Sequence, residues 1–412
     1  MYFELHITPH WAGEVSPTEW TMVIAAVAIG TLFAIGHTFR KPVINNSQIV
    51  YDNKNLRRLS LIYSLIALGV ALEIGGGKWD VTWHGLQKPE TFFTPPHTVL
   101  YAGVTLVLSM AIIGLYLKFR SKNFRSQNKL LDPLNLAIAG SIMQIFSGGF
   151  DFTWHSTFGF DGLLSPPHTL LVSGMILNSL AAVKGLTMTN QMRNYEFKKI
   201  TKLAFALGFT VFWMSSVAML DLYTYPWSKG EHFDFNPDPQ LAALTGTVLF
   251  PLYAPFVSII ALRTLPTRYP VTLVTGLYII IITLANIVPD ESLHSSLPYY
   301  TSNVLVALAI DFIYKAKFHN KAKVIAIGAL LGPFFLTMYF PGVILVYHEP
   351  LQLPDNIPLE TLAFLPLLYQ TQIGIVLIPS ILAGIAGAML GSRAAKMWLE
   401  PRSLRQKTAF SP

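Results

Sequence analysis

Long apolar stretches recur along the whole chain and alternate with shorter polar linkers. Each stretch approaches the roughly 20 residues that an α-helix needs to cross the hydrocarbon core of a bilayer. Lipid also favours helices, because every backbone polar group must find its partner within the protein. The pattern therefore predicts an all-α fold, a single transmembrane helical bundle over residues 1–412. Its eleven predicted spans are 20–38, 59–78, 98–118, 133–150, 168–187, 203–222, 240–262, 270–288, 301–315, 323–346 and 369–392.

The composition agrees with an integral membrane protein. Charged residues make up 12% of the chain, about half the fraction found in a typical soluble domain. The mean hydropathy is +0.47. The chain contains no cysteine, which excludes disulfides and thiolate metal sites. Imidazole and carboxylate side chains are therefore the metal ligands that the sequence offers.

The basic residues alternate between linkers in a way that predicts the topology. All but three of the 29 lysines and arginines lie in alternate linkers or in the C-terminal tail at 393–412. The other side holds only Lys78, Lys88 and Lys229. By the positive-inside rule, we predict a multi-pass protein of the cell membrane with its N-terminus outside and its C-terminus in the cytoplasm. The net charge of +7 then indicates contact with the lipid bilayer, not with nucleic acid.

Two segments share a pattern of polar residues at an offset of 71 residues. Each segment carries an aspartate, a histidine four residues later, and a Pro-Pro-His sequence that ends thirteen residues after that. We name these residues the first ligand set, Asp80, His84 and His97, and the second ligand set, Asp151, His155 and His168. Such a period indicates an internal duplication of a two-helix unit, here over residues 60–190.

Two weaker copies of the pattern follow at similar intervals, within residues 200–392. A third begins at Asp221, where Tyr225 replaces the first histidine and Asp238 takes the place of the second. A fourth begins at Asp290 and keeps His294 but has no second histidine. We interpret this region as degenerate repeats together with additional spans.

The spacing within each set suits a metal site. Residues four apart lie on one face of a helix, so the aspartate and the first histidine of a set can point at the same place. The Pro-Pro pair is typical of a helix start, so the linker returns a second imidazole from the next helix. Two imidazoles and one carboxylate with open positions can bind copper, iron or zinc. By the predicted topology, these sites lie at the outer face of the bilayer.

Four further residues are candidates for the surroundings of the ligands. Glu90 and Asp161 lie midway along the two linkers and could accept a hydrogen bond from a ligand imidazole. Trp83 and Trp154 each precede the first histidine of a set. They either pack over the metal site or belong to the aromatic belt at the membrane interface, and we favour the belt.

Polar residues also occur inside two predicted spans. Glu73 lies seven residues before Asp80, and Gln144 lies seven residues before Asp151. They either form a hydrogen bond between helices or contribute to a proton path. We favour the hydrogen bond.

At the motif residues, the chain resembles the C subunit of the copper-containing membrane monooxygenases, the particulate methane and ammonia monooxygenases. The resemblance lies in Asp80-Val-Thr-Trp-His84, in the acid Glu90 and in Phe93-Thr-Pro-Pro-His97. It implies that the first ligand set binds copper. It also implies a second site at the second ligand set, where Asp151 replaces the asparagine typical of the family. The match covers about residues 60–190, and the later spans have no counterpart in that subunit, so we interpret the chain as a longer relative.

The sequence leaves three functions open. The first, implied by the resemblance, is an oxygen-activating copper monooxygenase or a subunit of one. Its partners would be dioxygen, a small apolar or neutral substrate and other membrane subunits. The second is a copper-binding protein for storage, sensing or assembly, without oxygenase activity. The third is a zinc hydrolase in which Glu90 or Asp161 acts as general base. The sequence does not show whether the two ligand sets share one metal cluster.

Overall fold

The computed structural model describes residues 53–86, 88–89, 91–120, 128–158, 164–191, 199–224, 239–336, 370 and 372–399. Within these ranges the chain is helical and contains no strand, as the predicted all-α fold requires. The helices are α1 Asn53–Gly85, α2 Pro95–Arg120, α3 Asp132–Phe158, α4 Pro166–Asn190, α5 Lys199–Thr224, α6 Pro239–Thr264, α7 Pro270–Ile282, α8 Leu297–Lys315, α9 Asn320–Phe334 and α10 Ile373–Leu399. The π-helical turn Thr283–Ile287 extends α7, and short 3₁₀ turns occupy Asn128–Leu131 and Glu291–Ser296.

Seven segments in the described part of the chain are long and apolar enough to cross a membrane. This number indicates a multi-pass membrane protein. The seven segments are Asn53–His84, Pro95–Arg120, Pro166–Asn190, Lys199–Thr224, Leu244–Thr264, Pro270–Ile287 and Ile373–Leu399. Each contains most or all of one predicted span.

The other four predicted spans have different outcomes. Span 133–150 lies in α3 and span 301–315 lies in α8, but neither helix is among the seven. Span 323–346 coincides with α9 only in part, since the description of this region stops at residue 336. Span 20–38 lies outside the described residues. Of the tail predicted at 393–412, residues 393–399 continue helix α10.

The first four helices form two tight hairpins. A Cβ atom added at Gly103 in α2 would lie 2.5 Å from the carbonyl oxygen of Gly69 in α1. A Cβ atom added at Gly174 in α4 would lie 2.6 Å from the carbonyl oxygen of Gly140 in α3. Both distances are too short for a real side chain, so only glycine permits these crossings. The two contacts are 71 residues apart, like the ligand sets.

A second group of close contacts holds α10 against α6 and α9. A Cβ atom at Gly328 in α9 would collide with the backbone of α10 at Ile385, 2.6 Å from its Cα atom. A Cβ atom at Gly387 in α10 would collide with the carbonyl oxygen of Leu252 in α6. Small residues let helix backbones approach closely in lipid, where packing rather than hydrophobic burial drives association.

Helix α7 begins at a buried carboxylate supplied by another helix. Asp311 of α8 is fully buried and accepts hydrogen bonds from the backbone N–H groups of Val271 and Thr272, at 3.3 and 2.9 Å. It also accepts a hydrogen bond of 2.7 Å from the Thr272 hydroxyl. The first N–H groups of a helix have no partner within the helix, so this carboxylate replaces a local cap.

Gly387 provides a test of the α6–α10 contact. We expect Gly387→Ala to lower the free energy of unfolding by roughly 1–3 kcal/mol, because the added methyl group must push two backbones apart. Thermal unfolding of the purified protein in detergent would measure the change. Gly374→Ala is the matched control in the same helix, since a Cβ atom added there would have no neighbour within 4 Å. Equal stability of the two variants would contradict the packing described for α10.

Candidate metal centre

The two ligand sets lie at the ends of four consecutive helices. In each set, the aspartate and the first histidine occupy the C-terminal end of one helix, α1 or α3. The second histidine occupies the first turn of the following helix, α2 or α4. Because α1 packs on α2 and α3 packs on α4, each hairpin brings its three ligands to one end. The helix–linker–helix arrangement predicted from the Pro-Pro-His sequences is confirmed.

Local capping fixes the position of the second histidine in each set. The Thr94 hydroxyl accepts a hydrogen bond of 3.3 Å from the backbone N–H of His97. The Ser165 hydroxyl accepts the equivalent bond of 3.2 Å from His168. A Ser or Thr cap that binds the N–H group three residues later is a common helix start, and proline suits the first turn that it leaves. The sequence Ser/Thr-Pro-Pro-His therefore places the imidazole at a defined point.

We call the first ligand set the more open of the two, because its aspartate lies farther from its first histidine. Oδ1 of Asp80 lies 3.1 Å from Nε2 of His97 and 3.9 Å from Nε2 of His84. The two imidazole rings are edge to face, with centroids 6.4 Å apart. His97 is buried, and His84 and Asp80 are mostly buried. All three ligand side chains therefore face one point that is largely screened from solvent.

The second ligand set repeats this geometry more tightly. Oδ1 of Asp151 lies 3.5 Å from Nε2 of His155 and 3.2 Å from Nε2 of His168. The three ligand atoms all lie within 4.8 Å of one another. This spacing suits a single ion bound by two imidazoles and one carboxylate.

The two sets lie side by side. The ring centroids of His84 and His155, one from each set, are 5.7 Å apart. The rings of His155 and His168, within one set, are also 5.7 Å apart. The six side chains thus form one continuous cluster across the ends of α1 to α4, an arrangement that the sequence left open.

The hydrogen bonding of His97 indicates what the cluster can hold. Nδ1 of His97 lies 3.2 Å from the carbonyl oxygen of Thr91, which can only accept a hydrogen bond. Nδ1 therefore carries the proton, and Nε2 of a neutral ring turns its lone pair towards Oδ1 of Asp80. Two lone pairs at 3.1 Å repel each other unless a proton or a metal ion lies between them. Metal-binding histidines typically donate their other N–H group to a carbonyl in this way.

Aromatic rings cover one side of the first ligand set. The ring of Tyr101 stacks on the imidazole of His97, with centroids 5.8 Å apart. Phe92 contacts both Tyr101 and Phe152, at 5.3 and 5.5 Å between centroids. Phe152 and Phe93 are 49% and 72% exposed, so the apolar cluster reaches the surface of the protein. Aromatic side chains therefore line one side of the first ligand set and extend to the outer surface of the bundle.

The residues predicted to surround the ligands have different outcomes. Trp83 donates a hydrogen bond of 3.0 Å to the carbonyl oxygen of Pro89 and meets Trp79 edge to face, so it closes the turn after α1. Trp154 is buried and packs edge to face against Phe150. A role of either tryptophan at the metal or in an aromatic belt stays a prediction.

The two acids of the linkers lie outside the described residues. Glu90 and Asp161 were predicted to accept hydrogen bonds from ligand imidazoles, and that prediction stays open. For His97, the partner that the structure gives is the carbonyl oxygen of Thr91. A backbone acceptor leaves no signal in the sequence, so pattern analysis could not have identified it.

The aspartates of the third and fourth segments pair with lysines. Nζ of Lys78 lies 3.0 Å from Oδ2 of Asp221, and Nζ of Lys88 lies 3.0 Å from Oδ2 of Asp290. His294 is exposed on the 3₁₀ turn after Asp290. These two aspartates therefore bind ammonium groups of the first hairpin, and they do not add ligands to the cluster.

The residues that complete the third segment, Tyr225 and Asp238, lie outside the described residues. The signal that could have identified the lysine partners was in the charge pattern. Lys78 and Lys88 are two of the three basic residues in the linkers that are otherwise poor in them.

A hydrogen bond predicted between helices is confirmed deeper in the bundle. Nε2 of Gln144 in α3 donates a hydrogen bond of 3.0 Å to Oε2 of Glu73 in α1. Asn178 of α4 is a further partner of Glu73 that the sequence analysis missed. The signal available in the sequence was the amide side chain of Asn178 inside a predicted membrane span.

A separate cavity lies away from the ligand sets. It has a volume of about 100 Å³ and is lined mainly by apolar side chains of α5 to α9. Ser258, Thr275, Tyr278 and Asn303 are polar residues in its wall. None of the six ligands lines it, so this cavity is not the metal centre.

No protein-family model, curated protein or solved structure matches the chain. The resemblance to the C subunit of the copper-containing monooxygenases therefore rests on the motif residues alone.

If both sets bind metal, the difference in their spacing predicts the order in which they fill. We expect the second set to bind metal first, because its ligand atoms already lie within 4.8 Å of one another. His168→Ala should weaken the tighter of two binding steps by at least about tenfold, and His97→Ala should weaken the other. Titration of the apoprotein with Cu²⁺ against a competing chelator would measure both steps. Weakening of the same step by both variants would contradict this order.

Proposed function

We propose that the protein is a multi-pass membrane protein that binds two transition-metal ions, one at each ligand set. The observation that carries the proposal is the convergence of four imidazole Nε2 atoms on two aspartate oxygens, at 3.1 to 3.9 Å. Both of these aspartate oxygens are buried and make no hydrogen bond of good geometry with the described residues. A cation between the carboxylate and the two imidazoles of each set would remove the repulsion between their lone pairs.

We further propose that the ion is copper, and that the chain is a longer relative of the C subunit of the copper-containing membrane monooxygenases. The donor set supports copper, since imidazole nitrogen is a favoured ligand of this metal and a cysteine-free chain offers no thiolate. Iron and zinc accept the same donors. The motif resemblance places copper ahead of them.

Oxygen activation is the activity that we propose for the centre, alone or with partner subunits. When bound, copper with two imidazoles, one carboxylate and open positions supplies the binding and activation of dioxygen. The Thr91 carbonyl holds the His97 ring in the required tautomer. Asp80 and Asp151 offset positive charge at the centre. Tyr101 and Phe92 exclude water on one side, which favours a small apolar or neutral substrate.

The larger architecture belongs to the same proposal. We propose eleven spans, with the N-terminus outside, the C-terminus in the cytoplasm and the ligand sets at the outer face. The duplication of residues 60–190 is supported by matching contacts at the same offset. Thr94 and Ser165 cap equivalent helices, and Gly103 and Gly174 make equivalent close contacts.

Copper content tests the metal proposal. We expect about two copper ions per chain in the copper-replete protein, one for each ligand set. The double variant His97→Ala/His168→Ala should lose both, because each set would keep only one imidazole and one carboxylate. Elemental mass spectrometry of the purified proteins would give the ratio. His294→Ala is the matched control, since His294 is exposed and outside the cluster.

Copper that persists unchanged in the double variant would refute the proposed centre. Oxygen uptake by the copper-loaded protein in the presence of a reductant then separates the functions. Uptake that depends on both ligand sets supports an oxygenase. Copper without any uptake favours storage, sensing or assembly.

Cysteine labelling tests the proposed orientation. The natural chain has no cysteine, so single substitutions report without background. A membrane-impermeant maleimide should label Phe93→Cys in intact cells, because Phe93 is 72% exposed beside the ligand sets. Lys317→Cys, on the exposed turn between α8 and α9, should react only after the membrane is opened. The reverse labelling pattern would contradict the proposed orientation and indicate the opposite one.

A further inference from the structure

Three polar side chains from three helices meet inside the bundle, apart from the ligand sets. Glu73 comes from α1, Gln144 from α3 and Asn178 from α4, and they are 0%, 3% and 0% exposed. Gln144 Nε2 lies 3.0 Å from Oε2 of Glu73. Asn178 Nδ2 lies 3.0 Å from Oε1 and 3.3 Å from Oε2 of the same carboxyl group. We name these three residues the carboxyl–amide cluster.

The cluster has a carboxyl group but no basic side chain. Among the described residues, the polar partners of Glu73 are the amides of Gln144 and Asn178 and no lysine, arginine or histidine. The two amide oxygens, Oε1 of Gln144 and Oδ1 of Asn178, are buried without a hydrogen-bond partner in the same part of the chain. The cluster thus contains four buried side-chain oxygens, and the described residues give it no positively charged partner.

Three glycines make room for the cluster. A Cβ atom at Gly103 would lie 2.9 Å from Cγ of Glu73, and one at Gly174 would lie 2.6 Å from Cγ of Gln144. A Cβ atom at Gly140 would collide with Oδ1 of Asn178. The helices therefore approach closely just where the polar groups lie, and each polar side chain has a glycine opposite it. Such a fit marks the cluster as a built site rather than an accident of packing.

The duplication gives a comparison within the chain. Gln144 occupies the position in the second segment that Glu73 occupies in the first. A glutamine at both positions could still form hydrogen bonds between the helices. The carboxyl group adds something that bonding between helices does not require, namely the capacity to bind a cation.

We propose that the carboxyl–amide cluster binds one small monovalent cation, either a sodium ion or a proton. A buried carboxylate is retained in an apolar interior when a positive charge neutralises it. The O and N atoms of an amide exchange places by rotation of the group. The unpartnered oxygens of Gln144 and Asn178 can therefore turn towards Glu73. Carboxylate and amide oxygens then form an all-oxygen set, which suits a hard cation. With a proton instead, the carboxylic acid donates a hydrogen bond to one amide oxygen.

This site shares no ligand residue with the proposed metal centre. Glu73 precedes Asp80 by seven residues, which is about 10 Å along a helix. Failure of one proposal therefore leaves the other intact. We expect Glu73→Gln to keep the full copper content while it loses the monovalent cation.

Thermal unfolding in the presence of sodium tests the site. The full-length protein in detergent would be compared in NaCl and in choline chloride at equal ionic strength. If sodium is the occupant, the unfolding midpoint rises with sodium concentration and saturates, and Glu73→Gln abolishes the rise. Glu291→Gln is the matched control, because Glu291 is exposed and should keep the wild-type response.

Infrared spectroscopy identifies the proton instead. In that case the midpoint does not respond to sodium, and the carbonyl stretch of a protonated carboxyl group is absent from Glu73→Gln but present in Glu291→Gln. Asn178→Ala serves as a second variant if Glu73→Gln folds poorly. It keeps the carboxyl group but removes one amide oxygen, so it should weaken the response to sodium or shift the carbonyl stretch of the protonated Glu73. An unfolding midpoint indifferent to sodium, together with an ionised Glu73, would overturn the proposal.

Discussion

The close approach of α1 to α2, and of α3 to α4, is the contact on which the candidate metal centre depends. Gly69 faces Gly103, and Gly140 faces Gly174, at distances that admit no side chain on the facing residue. These crossings fix the position of each helix end along the axis of the neighbouring helix. An aspartate and a histidine on one helix can then meet a histidine that begins the next. Because the same glycines face the carboxyl–amide cluster, two polar sites depend on one mode of packing.

The sequence predicted those parts of the structure that depend on local spacing. Residues four apart on a helix, and a histidine placed by Pro-Pro, were sufficient to assemble each ligand set. The meeting of His84 with His155 was beyond such reasoning, since it depends on how two hairpins pack. The pairing of Lys88 with Asp290 likewise joins residues 202 positions apart. Contacts at such range leave no periodic signal in a single chain.

The aspartates near the ends of these helices have two different kinds of partner. The ligand aspartates face imidazoles, whereas Asp221 and Asp290 face ammonium groups. A lysine ammonium group is itself a cation and neutralises the carboxylate, whereas a neutral imidazole can share the carboxylate with a metal ion. The ion pairs also join α1 and the linker after it to α5 and to the turn before α8. The first hairpin is therefore held against the rest of the bundle without using its ligands.

The contribution of four helices to one cluster has a consequence for biogenesis. Helices of a nascent membrane protein are synthesised in order, so a chain that ends after α2 holds only the more open ligand set. The tighter set is complete once α4 has been made and has packed on α3. If the protein binds metal as we propose, the tighter set captures its ion late, and an ion that bridges these helix ends would favour the chains whose hairpins have packed correctly.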